Sequence, residues 1–164
     1  MYRLQKIHIG FHVLLEYTNH MENKISITEA ITQKEKLECF NIRFEVFVKE
    51  QGVPKEIEID EFDRNSFHAL ARINNKTLGT GRLIYLDTEN AKIGRMAVSL
   101  EYRKTGIGGL ILDFLEKKAT NMGVKNLTLN AQEYISKFYS KHGYYKKGVV
   151  FLEAGIPHMK MNKK

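Results

Sequence analysis

The segment of this sequence best suited to bind an anion is residues 103–109 (RKTGIGG), which lies between a predicted strand and a predicted helix. Its three glycines let the backbone approach a phosphate closely because they have no Cβ. The first amides of a helix have no intrahelical acceptor, and the helix dipole favours an anion beside them. Arg103 and Lys104 add positive charge, and the segment contains no acid. These features predict a phosphate-binding loop.

The glycine pattern fits one phosphate-binding motif and fails two others. The Walker pattern GxxxxGK[ST] is absent, and GxGxxG fails because Ile111 stands where its last glycine belongs. Arg103, Gly106 and Gly108 match the pattern R/Q-x-x-G-x-G/A. Taken alone, these residues fit a glycine-rich turn between strand and helix equally well.

A second segment that could do chemistry is residues 138–144 (FYSKHGY), at the end of a predicted helix. The phenol of Tyr139 can donate a proton. Gln132 precedes Tyr139 by seven residues. Tyr139 also shares an apolar helix face with Ile135 and Phe138, so packing is the competing interpretation of this tyrosine.

Hydrophobic periodicity and turn residues predict the elements that position the two segments. In chain order we expect a strand at 24–31, a helix at 34–49, a hairpin of HALARI and TLGTGRLIY, a strand at 92–100, a helix at 106–122, a strand at 126–130, a helix through 135–142, and strands at 148–152 and 158–161. The apolar face of the second of these helices is predicted to consist of Ile107, Leu110, Ile111, Phe114, Leu115 and Met122. The order indicates an α/β fold, a mixed central sheet of about six to seven strands with helices on both faces.

The two segments, in this order and spacing, resemble the GNAT acetyltransferase superfamily over residues 24–164. The resemblance implies the GNAT fold and acetyl transfer from acetyl-CoA, the co-substrate, to a primary amine by direct attack in a ternary complex. It further implies that residues 95–98 (RMAV) bind the pantetheine arm through backbone groups and that Tyr139 protonates the departing thiolate. The CoA-binding residues that it implies are Met96, Ala97, Val98, Arg103, Lys104, Thr105, Gly106, Ile107, Gly108, Gly109 and Gln132.

The sequence does not identify the acceptor amine. Residues 50–63 hold six acids and one lysine in the region where GNAT proteins usually build the acceptor side, which favours a cationic amine. A solvated acidic loop is the alternative. Candidate acceptor contacts are Asp60, Asp63, Arg82 and His158, although both aspartates could instead bond Arg43 or Arg82. The general base stays open among Glu58, Asp60, Asp63, His68, Glu153, His158 and a chain of waters. No His/Cys cluster has metal-ligand spacing, so we expect no metal.

Two subgroups share further residues with the chain. Arg43-x-x-x-Phe47, Asp60-x-x-Asp63 and Gly81-Arg82-Leu83 resemble acyl-homoserine-lactone synthases. The pattern EQ-x-V-x-x-x-x-E-x-D at 50–60 and GIPH at 155–158 resemble a group of bacterial GNAT proteins. The chain has no tryptophan, which the synthases have, so an acetyl-CoA enzyme is favoured. A synthase that uses a longer acyl donor and a non-catalytic CoA-binding module are the alternatives.

Length and composition indicate one domain in a reducing compartment. The 164 residues are 43% hydrophobic, and the only cysteine, Cys39, lies in an apolar stretch that favours burial. No apolar run is long enough for a membrane span, so we expect a cytoplasmic protein. The net charge of +7 comes from residues 101–164, but the basic residues are scattered, so no nucleic-acid partner is expected. Residues 1–23 are predicted to be a peripheral extension of the domain at 24–164, and a homodimer is allowed.

Overall fold

The computed structural model describes residues 24–164, which form seven strands and four α-helices joined by short helical turns. The strands are β1 Ile25–Glu29, β2 Phe67–Ile73, β3 Lys76–Tyr85, β4 Asn90–Val98, β5 Asn126–Gln132, β6 Tyr145–Glu153 and β7 Ile156–Lys163. The α-helices are α1 Gln33–Arg43, α2 Lys55–Glu58, α3 Ile107–Asn121 and α4 Ser136–Lys141. The predicted α/β fold is confirmed, whereas the expected extension at 1–23 lies outside the described residues.

All seven strands form one mixed sheet in the order β1-β2-β3-β4-β5-β7-β6. Neighbouring strands are antiparallel except for β4 and β5, which run parallel. The parallel pair is joined only where residues 90–93 face residues 126–129. Beyond that point β4 and β5 have no pairing with each other, which leaves a cleft in the middle of the sheet.

Helices cover both faces of the sheet, as predicted. On one face, α1 begins at a capping box of Thr32 and Glu35, and Cys39 packs against Leu70 of β2 with no exposure. On the other face, α3 buries Ile107, Ile111, Leu112, Leu115 and Ala119. The prediction for this helix was partly wrong, because Leu110 is 45% exposed and Met122 is 58% exposed.

Two glycines of β3 allow α3 to lie close to the sheet. A Cβ on Gly79 would come within 2.9 Å of the Ile111 side chain, and a Cβ on Gly81 would come within 2.8 Å of the Leu115 side chain. Real side chains do not tolerate such distances, so larger residues here would push α3 outwards. The close packing of α3 on β3 therefore determines the position of the first turn of α3.

The helix predicted at 34–49 changes its hydrogen-bonding pattern halfway. The α-helical part ends at Arg43, and the chain continues as a π-helix over Phe44–Glu50. π-helical turns are rare and occur often at functional sites. The π-helix buries Val46 against Ala97 of β4, places Glu50 beside Arg103 of the loop that precedes α3, and leads into Gln51, which contacts Gln132 of β5.

Candidate active site

The predicted phosphate loop folds as a tight turn that leads into α3. Gly106 adopts a φ of +92°, a left-handed conformation that favours glycine, and α3 begins at Ile107. None of the described side chains caps this helix, and the Leu110 amide donates to the Gly106 carbonyl at 3.1 Å. The amides of residues 107–109 precede that bond and have no intrahelical acceptor, and the first turn carries no acid. The loop thus presents the free donors that a phosphate needs.

Arg103 connects this loop to the end of the π-helix. Its Nη1 and Nη2 atoms donate to the two carboxylate oxygens of Glu50, both at 2.6 Å, and its Nε donates to the Val98 carbonyl at 3.0 Å. The hydrogen bonds from Arg103 hold the pKa of Glu50 below its ordinary value. The positive charge expected beside the glycines is therefore shared with Glu50, whereas Lys104 is exposed.

A β-bulge shapes the wall of the cleft on β4. Arg95 and Met96 together oppose Gly81 of β3, and Arg95 adopts a φ of +52°. Pairing between β4 and β5 ends at Ile93. On the β5 side, the backbone of residues 94–98 consequently has no strand partner, although the Val98 carbonyl accepts from Arg103, and the stretch predicted to bind pantetheine, 95–98, lies here.

The two segments singled out in the sequence meet in space. A Cβ on Gly108 would lie 3.6 Å from the Phe138 ring, and a Cβ on Gly109 would lie 3.2 Å from Nε2 of His142. Phe138 also packs edge-on against Tyr139, with the ring centroids 4.9 Å apart. The second segment therefore forms one side of the phosphate loop.

Tyr139 lies inside the core and not on the surface. It is 5% exposed and contacts the Tyr144 ring as well as Phe138. None of residues 24–164 forms a hydrogen bond with its hydroxyl. Burial raises the pKa of Tyr139 well above that of a free tyrosine, so the phenol keeps its proton across the physiological range. Tyr139 thus stays protonated beside the loop, although the same burial makes its phenol a weaker acid.

Gln132 bridges the two sides of the cleft. Its Nε2 donates to Oε1 of Gln51, which follows the π-helix, at 2.8 Å. Its Oε1 accepts a hydrogen bond from the Tyr134 hydroxyl at 2.6 Å. His158, the neighbour of Gln132 on β7, is 8% exposed and stacks on Phe151. Gln132 and His158 therefore lie side by side where β5 has left β4.

Three arginines and three carboxylates form a charge-balanced ion cluster beneath residues 55–65. Its members are Arg43, Arg82, Arg95, Glu58, Asp60 and Asp63. Nη1 of Arg43 donates to Asp63 at 2.6 Å, and Nη1 of Arg82 donates to Asp60 at 2.6 Å. Buried charges are tolerated when each is paired in this way.

The ion cluster includes three of the candidate acceptor contacts, Asp60, Asp63 and Arg82. Arg82 is 3% exposed and Asp63 is 4% exposed, and both aspartates bond arginines, which is the structural alternative named for them. Burial alone would raise the pKa of Asp63, but hydrogen bonds from Arg43 and Arg82 outweigh it and hold that pKa far below its usual range. Carboxylates held ionised by arginines are weak bases.

The remaining base candidates differ in their surroundings. His68 is 1% exposed, and its Nε2 lies 2.9 Å from the Asp63 carbonyl, so a substrate amine cannot reach this side chain. Glu153 accepts a hydrogen bond from Asn130 of β5 at 2.7 Å. His158 contacts the Ile156 carbonyl through Nδ1 at 2.8 Å. Glu153 and His158 are thus the two candidates on the β5–β7 side of the cleft.

A surface groove lies beside the phosphate loop but does not include its glycines. It encloses about 600 Å³ between α1, the π-helix and the end of β4, and Glu38, Glu45 and Glu50 line it with Lys49. Three acids surround this groove, whereas the first turn of α3 has none, so an anion is better accommodated at the loop.

Several residues around the site received no individual side-chain role from the sequence. Glu50, Gln51 and Tyr134 are placed by the π-helix and the turn after β5, and Arg95 by the bulge. His142, to which the sequence gave no role, faces Gly109. Of the residues described, no group of three or more His, Cys, Asp or Glu is arranged to hold a metal ion. The helices of this part of the chain are all too short or too polar to cross a membrane.

Comparison with known proteins gives a consistent result. Residues 22–164 match the family model described as an acetyltransferase (GNAT) domain. The uncharacterised N-acetyltransferase YjcF of Bacillus subtilis is 43% identical over 127 residues, which are 77% of this chain and 90% of YjcF.

Two solved structures show the same fold. ElaA of Escherichia coli superposes with a TM-score of 0.77 at 26% identity, over 86% of this chain and all of ElaA (100%). A GNAT family acetyltransferase of Elizabethkingia anophelis, solved with acetyl-CoA bound, superposes with a TM-score of 0.68 at 22% identity, over 85% of this chain and 97% of that protein.

Proposed function

The chain belongs to the GNAT acetyltransferase family, and we propose that it moves an acetyl group from acetyl-CoA to a primary amine by direct attack in a ternary complex. The observation that carries this proposal is the proximity of Gly108 to the Phe138 ring, which brings the phosphate loop beside the segment that contains Tyr139. The presence of Tyr139 beside an intact loop favours catalysis over a module that only binds CoA.

The phosphate loop and β4 would hold acetyl-CoA. The amides of residues 107–109 would donate to the diphosphate, and Arg103 would exchange part of its contact with Glu50 for the phosphates. The free backbone groups of residues 94–98 would bond the pantetheine arm in the manner of an added strand. One of these amides, near the bulge at Met96, would polarise the thioester carbonyl.

In the transfer step a C–N bond forms and the C–S bond breaks. The leaving thiolate takes the proton of the Tyr139 hydroxyl, and the attacking amine loses a proton. Glu153 and His158 are the candidates to accept that proton, directly or through water, because the other carboxylates near the cleft are bound to arginines. We also propose a cytoplasmic location, where Cys39 stays a free thiol.

Steady-state kinetics of CoA release test this proposal. With both acetyl-CoA and an amine varied, a ternary-complex mechanism gives intersecting double-reciprocal lines, whereas an acetylated-enzyme intermediate gives parallel lines. We expect intersecting lines and no acetylated protein in the absence of amine. Parallel lines, or an acetylated side chain, would contradict direct attack.

The length of the acyl donor separates this function from its closest alternative. An enzyme of the acyl-homoserine-lactone synthase type would have a higher kcat/KM with a medium-chain acyl-CoA than with acetyl-CoA. We expect kcat/KM to be highest with acetyl-CoA and to fall as the acyl chain is lengthened. The half-buried side chains of Met96 and Val98 at the cleft would obstruct a longer acyl group.

A further inference from the structure

Residues 57–63 turn Glu58 and Asp63 inwards and their three apolar side chains outwards, while Glu61 is exposed. Ile57 is 51% exposed, Ile59 is 55% exposed and Phe62 is 48% exposed. Glu58 and Asp63, between and after them, are each 4% exposed. Soluble domains usually show the reverse arrangement, so an exposed apolar row above buried carboxylates needs a reason.

The charges of this segment balance, so it does not attract a second positive charge on the acceptor amine. The carboxylates that point inwards are matched one to one by Arg43, Arg82 and Arg95. The exposed charges of residues 55–64 are two acids and two bases: Glu56, Glu61, Lys55 and Arg64. The acidic run that the sequence suggested is therefore neutral where it faces outwards.

The apolar row lies at the cleft. Arg95, the residue of the β4 bulge, donates through Nη2 to the Ile57 carbonyl at 3.1 Å and through Nε to the Glu58 carbonyl at 3.0 Å. Its Nη2 also donates to Asp60 at 3.1 Å. The backbone just before Ile59 and the Asp60 side chain just after it are thus fastened to Arg95 in the unpaired part of β4, which holds the row on that side of the cleft.

We propose that Ile57, Ile59 and Phe62 form the acceptor wall, and that the acceptor is a primary amine carrying an apolar group and no second positive charge. This inference rests on the proposed acetyltransferase function. An apolar wall favours such an amine by burying its hydrocarbon part. It also desolvates the ammonium form, which lowers the pKa of the amine and supplies more of the neutral nucleophile.

The test compares apolar and cationic amines in the CoA-release assay with the full chain. The apolar set is phenethylamine, tryptamine and hexylamine, and the cationic set is putrescine, cadaverine and agmatine. We expect kcat/KM to be at least about tenfold higher for the apolar set, the discrimination typical of a hydrophobic pocket. Ile59→Glu should lower kcat/KM for phenethylamine at least about tenfold and raise it for cadaverine.

Ile31→Glu is the matched control, since it makes the same substitution at an exposed isoleucine (73%) that precedes α1. It should leave the ratio of apolar to cationic amines unchanged, and both variants should keep the wild-type KM for acetyl-CoA. Equal or higher kcat/KM for the cationic set in the wild type, or an unchanged ratio in Ile59→Glu, would overturn the apolar wall while leaving acetyl transfer intact. No CoA release with either set would overturn the proposed function and this inference together.

Discussion

Replacing Tyr139 by phenylalanine deletes one hydroxyl and keeps the ring. The ring contacts Phe138 at 4.9 Å and Tyr144 at 6.0 Å between centroids, and these contacts survive the change. If the hydroxyl protonates the thiolate, kcat should fall by about 10²–10³, within the range of general acid catalysis. The midpoint of unfolding should change little, because none of the described residues hydrogen-bonds this hydroxyl and a lost bond would cost only about 0.5–1.5 kcal/mol.

The pH profiles refine this prediction. Because burial raises the pKa of Tyr139, its ionisation should cause no fall in activity up to about pH 10, the ordinary pKa of tyrosine. The unfolded chain, in contrast, loses this proton near pH 10, so the wild type should lose stability above that pH and Tyr139→Phe should lose less. Steady-state rates and thermal unfolding between pH 6 and about 11 measure both effects.

Tyr144→Phe is the matched control, because it removes the hydroxyl of the neighbouring buried tyrosine, which is 3% exposed. It should leave kcat unchanged. Presteady-state measurement of CoA release must show that the chemical step limits turnover in each protein. If Tyr139→Phe then turned over at the wild-type rate, Tyr139 would be a packing residue and the assigned acid would be wrong.

Three further predictions concern the loop, the ion cluster and the chain start. Gly108→Phe should abolish CoA binding in calorimetry, whereas Gly108→Ala should keep it, because the added Cβ meets the Phe138 ring at an ordinary 3.6 Å; equal affinity in both variants would contradict the loop assignment. Asp63 has a lowered pKa, so its contribution to the free energy of unfolding is present above about pH 4 and is lost as the pH falls. Asp63→Asn should therefore be less stable than the wild type at pH 7 but lose less stability between pH 7 and about 3. Identical acid unfolding curves would refute this. Residues 24–164 alone should fold and bind CoA with unchanged affinity, and a protein that is unfolded by circular dichroism would show that the first residues belong to the domain.

Much of the fold could be predicted because its signals are local. Apolar periodicity in α3 and the glycines around it identify a strand, a loop and a helix, and the sheet order follows from the resemblance. The misassigned side chains are those at the ends of that periodicity: Leu110 and Met122 are apolar but lie outside the packed stripe, which a helical repeat alone does not define.

The site could be predicted only where backbone geometry leaves a trace in residue type. Gly106 must be glycine at its φ of +92°, so the loop was visible. The bulge at Arg95 and the π-helix leave no such trace, because neither feature requires a particular residue type. The pairing of Asp60 and Asp63 with Arg82 depends on contacts about twenty residues apart, so the sequence left both interpretations open.

The most direct test of the central claim is to follow an isotopically labelled acetyl group from acetyl-CoA. Phenethylamine, the enzyme and labelled acetyl-CoA are incubated together, and mass spectrometry counts the labelled amide while a thiol reagent counts free CoA. The account predicts one labelled amide for each CoA released and almost none with Gly108→Phe. Release of CoA without the amide, or equal amounts of amide with Gly108→Phe and the wild type, would contradict it.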